Sequence, residues 1–114
     1  MQSLLFNNYP SSLPLDNCIF YGIGPQLYWL LSNFNGDINL ASFVDDNPNY
    51  HYQGLPGYEN IIQPLTKELI KEKPNIILSL NSVYHAHVLE KIRRFKENCT
   101  ITYLKGETWV TEEI

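Results

Sequence analysis

Gly22 and Gly24, followed about 20 positions later by Asp45 and Asp46, are the residues whose types and spacing could do chemistry. A strand that feeds directly into a helix needs backbone conformations closed to side chains with a Cβ, and glycine supplies them. Pro25 stands at a favoured first helical position, and the free N–H groups and dipole of a helix start suit an anion such as phosphate. Acidic residues at the carboxyl end of the next strand hydrogen-bond ribose hydroxyls in dinucleotide folds, which suits Asp45 and Asp46, with Asn47 beside them. The plain alternative is that Gly22 and Gly24 make one tight turn and Asp45-Asp46-Asn47-Pro48 another, because Leu27 occupies the third glycine position of Gly-x-Gly-x-x-Gly.

Two more polar residues fall near the same edge. Asn81 follows an apolar run, and His85 lies in the first turn of the helix after it, able to meet a phosphate or to stand as an ordinary half-exposed helix histidine. His85 and His87 are two residues apart on a helix and face different ways, which is wrong for shared metal ligation. No metal site is expected, and no Ser/His/Asp or Cys/His arrangement can be argued.

The elements that must position these groups follow from periodicity. Cys18-Ile19-Phe20-Tyr21 reads as a buried strand that stops at Gly22. Leu27, Leu30, Leu31 and Phe34 form one apolar helical stripe, closed by Gly36. Phe43-Val44 belongs to a second strand. The Tyr- and Gly-rich run from Tyr50 to Tyr58 is long for a plain connection, so its tyrosines either stack on a base or sugar or cover the sheet edge. Thr66 caps a short helix over 67–73, with Leu65 and Ile70 as a hydrophobic staple. Residues 75–80 form a third strand, a helix with Ala86, Leu89, Ile92 and Phe95 inward follows, and residues 100–104 form a fourth strand.

Alternating strands and helices with right-handed crossovers predict a parallel sheet of four to five strands with helices on both faces. The first helix is expected on one face and the next two on the other, with strand order 3-2-1-4 or a close relative. Residues 1–16 read as an N-terminal arm, broken by Pro10 and Pro14, whose Leu4-Leu5-Phe6 patch docks on the body, the preferred reading, or on a partner; residues 17–104 form the domain; residues 105–114 are a tail with the character of an edge strand.

Composition narrows the function. A chain of 114 residues holds one domain and no separate catalytic domain. A formal net charge of −4 argues against a nucleic-acid surface, and the basic cluster Lys91, Arg93, Arg94 and Lys96 reads as a solvated helix face. Cys18 and Cys99 read as reduced, buried thiols. No stretch is apolar enough to span a bilayer, and the N-terminus lacks a secretion signal, so a cytoplasmic location is expected.

The pattern Phe20-Tyr21-Gly22-Ile23-Gly24, Phe43-Val44-Asp45-Asp46-Asn47-Pro48, Gly54-Leu55-Pro56-Gly57 and Pro74-Asn75-Ile76-Ile77-Leu78 resembles the small Rossmann-like domain at the C-terminus of nucleotide-sugar C-methyltransferases. It is also similar to the N-terminal domains of some sugar O-acyltransferases and of some methyltransferases acting on sugars and polyketides, over about residues 17–104. The resemblance implies a Rossmann-like three-layer αβα sandwich. From the acyltransferase relatives, it implies a UDP-sugar held with Gly22 and Gly24 near the phosphates and Asp45 and Asp46 near the ribose or base. Those relatives often carry a Gly-Gly-His turn where this chain has Gly24-Pro25-Gln26, which leaves Gln26 as a substitute donor. Their transferring machinery lies in other domains.

Three functions follow. The leading one is a non-catalytic domain that binds a nucleotide or nucleotide-sugar, accessory to a sugar methyl- or acyltransferase system, as a homodimer or beside a partner enzyme domain. The second is a fragment of an NAD- or S-adenosylmethionine-linked enzyme. The third is an interaction module that keeps the fold without the ligand and uses its aromatic loop and N-terminal arm as a partner surface.

Overall fold

In the computed structural model the described residues are 14–34 and 36–114. The Leu4-Leu5-Phe6 patch lies outside them. Among the described residues there are six strands and three α-helices, in the order β1 Cys18–Tyr21, α1 Pro25–Leu31, β2 Ser42–Val44, β3 Ile62–Gln63, α2 Lys67–Glu72, β4 Asn75–Leu78, α3 His85–Arg94, β5 Thr100–Lys105 and β6 Thr108–Glu113. The sheet order is β3-β2-β1-β4-β5-β6. Five strands run parallel, and β6 closes the far edge antiparallel to β5.

The layers are those of a Rossmann-like sandwich. On one face, Leu27, Leu30 and Leu31 of α1 pack on Phe20, Phe43 and Ile77. On the other, Leu69 and Ile70 of α2 and Val88, Leu89 and Ile92 of α3 cover Ile19, Val44, Ile76 and Leu78. Successive strand residues point to opposite faces, so β1 serves both cores at once and all four of its residues are buried. The Phe20 ring stacks on Phe43, centroids 5.5 Å apart, and meets the edge of Phe34 at 5.3 Å.

Several sequence expectations need correction. The strand at Asn75 pairs directly with β1 and does not flank β2. The outer position beside β2 belongs to β3, whose two residues are too few to show a period, and α2 crosses from β3 to β4 over the sheet. Helix α1 stops at Leu31, well short of Gly36. The Ser32 hydroxyl and the Asn33 amide both donate to the Trp29 carbonyl, 2.7 and 2.9 Å, taking an acceptor the next helical turn would need. In α3 the buried stripe is His85, Val88, Leu89 and Ile92, with Ala86 exposed. A 3-10 turn over Ser82–Tyr84, capped by Asn81 Oδ1, delays the α-helix and rotates its inner face.

Thr66 Oγ1 caps α2 by accepting from Leu69 N–H at 3.2 Å. Both thiols are buried, and burial pushes Cys18 up to about 11, so it stays protonated at neutral pH. Among the described residues no helix is long and apolar enough to cross a membrane.

Candidate functional site

The turn after β1 is held from three sides. Gly22 has φ +113°, a left-handed value that side chains resist, and its N–H donates to the Val44 carbonyl at 2.8 Å. The buried Ser79 hydroxyl donates to Gly22 O at 2.7 Å. One residue on, Ile23 N–H donates to Asp45 Oδ2 at 2.8 Å, while Asp45 Oδ1 accepts from Asn47 N–H at 2.8 Å. Asp45 therefore latches the corner after β1 to the corner after β2. The Gly24 backbone is extended, and a Cβ there would meet nothing within 4 Å. The N–H groups of Gly24 and Gln26 have no partner among the described residues.

These corners face one crevice of about 790 Å³ at the carboxyl edge of the parallel strands. It opens where the chain leaves β1 toward β2 on one side and β4 lies on the other, the switch point at which open α/β sheets hold ligands. Gly22, Gly24, Gln26, Asp45, Asp46, Asn47 and Asn81 all line it. Leu80 and Val88 supply an apolar wall, and Tyr84, 59% exposed, stands beside them.

Asp46 turns toward the α3 face. Its Oδ1 accepts from the Tyr21 hydroxyl at 2.5 Å and from Lys91 Nζ, which leaves Oδ2 with no partner among the described residues. Burial pushes the Asp46 carboxyl up, but the bonds from Lys91 and Tyr21 outweigh it and hold the group below its usual range. Burial, and then the bond to Asp46, push the Tyr21 hydroxyl well above its ordinary value. A phenol in that state keeps its proton and acts as a donor.

His85 is placed elsewhere. Its ring is buried, with Nε2 3.2 Å from the Leu80 carbonyl and the plane edge-on to Tyr103 at 5.1 Å. It borders a neighbouring cavity of about 380 Å³ with Trp29, Ser82 and Leu104, and His87 takes its place in the main crevice. Burial lowers the His85 pKa, partly countered by its bond to Leu80 O. In the unfolded chain the imidazole takes a proton near 6.5; in the fold it resists one. Its contribution to stability is therefore present above about pH 6.5 and declines as pH falls below it. Urea melts between pH 7.5 and 5 are expected to show this decline, and His85→Gln to reduce the slope.

The tyrosine loop covers the structure and does not line the crevice: Tyr58 stacks on Tyr28 of α1, whose hydroxyl donates to Pro56 O at 3.2 Å. Sequence reasoning missed Tyr21, Ser79, Tyr84, His87 and Lys91. Tyr21 and Ser79 look like core residues in a linear reading, while Lys91 lies in a basic helical cluster 45 positions from its partner Asp46. Among the described residues no group of three or more His, Cys, Asp or Glu side chains is placed to hold a metal ion.

No protein-family model and no curated protein matches the chain. Among solved structures it is similar to the crystal structure of UDP-D-quinovosamine 4-dehydrogenase from Vibrio fischeri, at 16% identity and a TM-score of 0.57, over 85% of this chain and 91% of that one. At that identity the likeness speaks for the fold.

Proposed function

We propose that the chain is a nucleotide- or nucleotide-sugar-binding domain, accessory to a sugar-modifying enzyme system and without catalysis of its own. One observation carries the reading: the amides of Gly24 and Gln26, which have no partner among the described residues, and the carboxylates after β2 face a single crevice at the switch point of a parallel sheet. The two amides suit phosphate oxygens, Asp46 Oδ2 suits ribose hydroxyls, and Tyr84 offers a face to a base. Because Ile23 N–H already serves Asp45, phosphate contact falls to the next two amides.

The pairing of crevice groups with one another supports a binding role. Two crevice groups, Tyr21 and Asp46, pair with each other and with Lys91 of α3 through Asp46 Oδ1, and neither shifted group titrates near neutrality, where a general acid or base works best. The likeness to UDP-D-quinovosamine 4-dehydrogenase favours a nucleotide-sugar as ligand. The sequence resemblance favours methyl- or acyltransferase systems, with the chain acting as a homodimer or beside a partner enzyme domain.

Thermal-shift titration with UDP, UDP- and TDP-sugars, NAD and S-adenosylmethionine tests this. A true ligand at 100 times its Kd is expected to add about 2.7 kcal/mol of stability. Gly24→Ala is expected to leave the unliganded melting temperature unchanged, since its methyl meets no atom of the chain, and to weaken nucleotide binding at least tenfold by crowding the amide. If no nucleotide shifts the melt and the protein is a stable dimer, the interaction-module reading replaces this one.

A further inference from the structure

The smaller cavity adjoins the nucleotide crevice, because Gln26 and Asn81 border both. We propose that it is a subsite for the sugar half of a nucleotide-sugar, walled by Trp29 and Leu104 and read by Asn81, Ser82 and His85. The proposal rests on the nucleotide reading above and adds the class of group carried beyond the diphosphate.

Position supports it first. A nucleoside with its ribose against Asp46 and its phosphates on the Gly24 and Gln26 amides directs its terminal phosphate at Gln26, the residue that opens the second cavity. The chemistry agrees. A pyranose presents an apolar face of C–H groups and a rim of hydroxyls, so it asks for an aromatic wall and a few neutral donors and acceptors. Trp29 supplies the wall. Asn81 Oδ1 is taken by Val83 N–H at 3.1 Å, which leaves its NH₂ group as a donor. The Ser82 hydroxyl serves either way. With His85 Nε2–H donating to the Leu80 carbonyl, Nδ1 is an acceptor, and burial keeps the ring neutral.

Charge decides between candidates for the outer group. Among the described residues, none that borders this cavity is acidic, lysine or arginine. A further phosphate would find no cation there, and the positively charged nicotinamide of NAD no carboxylate. An uncharged sugar loses nothing.

Isothermal titration of the wild-type chain, Ser82→Trp and Trp29→Leu with UDP and UDP-glucose, and with TDP and TDP-glucose, tests the subsite. Ser82 is exposed, so a bulky side chain there fills the cavity without entering the core. In the wild type the nucleotide-sugar is expected to bind at least tenfold tighter than its parent diphosphate. Both variants are expected to abolish that difference while leaving diphosphate affinity within about twofold. A wild type that binds diphosphate and diphosphate-sugar equally, or variants that weaken both alike, overturns the subsite and spares the nucleotide reading. A wild type that binds neither diphosphate overturns the nucleotide reading and the subsite with it.

Discussion

Gly22→Ala is expected to destabilise the fold by about 4 kcal/mol, from roughly 1–2 kcal/mol of left-handed backbone strain and 1–3 kcal/mol of overpacking. The two terms have separate origins. Gly22 sits at φ +113°, where a Cβ crowds its own backbone, and that Cβ would also lie 2.8 Å from Leu80 Cβ and 3.2 Å from Leu80 N. Leu80 cannot retreat: Ser79 beside it is anchored to Gly22 O and Tyr21 O, and the Leu80 carbonyl is bonded to His85. A fall in melting temperature on the order of 15 °C is the expected reading for a domain of this size. Gly24→Ala is the control, since the same methyl two residues on meets open space on an extended backbone. If the two variants melt alike, the close packing of the turn on Leu80 is wrong.

Asp45→Ala is expected to cost about 3 kcal/mol of stability, because it removes two hydrogen bonds from backbone amides to a carboxylate, each worth roughly 1.5–3 kcal/mol before allowance for its partial exposure. The amides of Ile23 and Asn47 then lose their acceptor, and the corners after β1 and β2 are no longer latched. Loss of ligand binding in this variant therefore does not by itself identify Asp45 as a ligand contact. Asp46→Asn makes the comparison. Its group is more exposed, its Oδ2 faces no protein partner among the described residues, and it keeps an acceptor for Tyr21 and Lys91. Denaturant melts are expected to show a small change for Asp46→Asn and a large one for Asp45→Ala, while nucleotide titration shows weakened binding in both. Equal stability of the two variants would contradict the latch.

Periodicity and turn chemistry carried much of the architecture. The buried run Cys18–Tyr21, the stripe of Leu27, Leu30 and Leu31 and the Thr66 cap are local features, readable because spacing along the chain fixes which face a residue occupies. The three layers followed from alternation and handedness. The glycine turn and the aspartate pair were visible because their types and separation are local too.

What the chain could not reveal on its own was which groups meet. The two-residue β3 has no period, so the place of β4 beside β1 emerged only from the sheet. His85 and His87 exchange roles because a 3-10 turn sets the phase of α3. Asp45 spends its carboxylate on Ile23, and Asp46 joins Tyr21 to Lys91, through contacts spanning 22, 25 and 45 positions. Hydrogen bonds over such separations depend on how layers close in space, and no linear spacing encodes that distance.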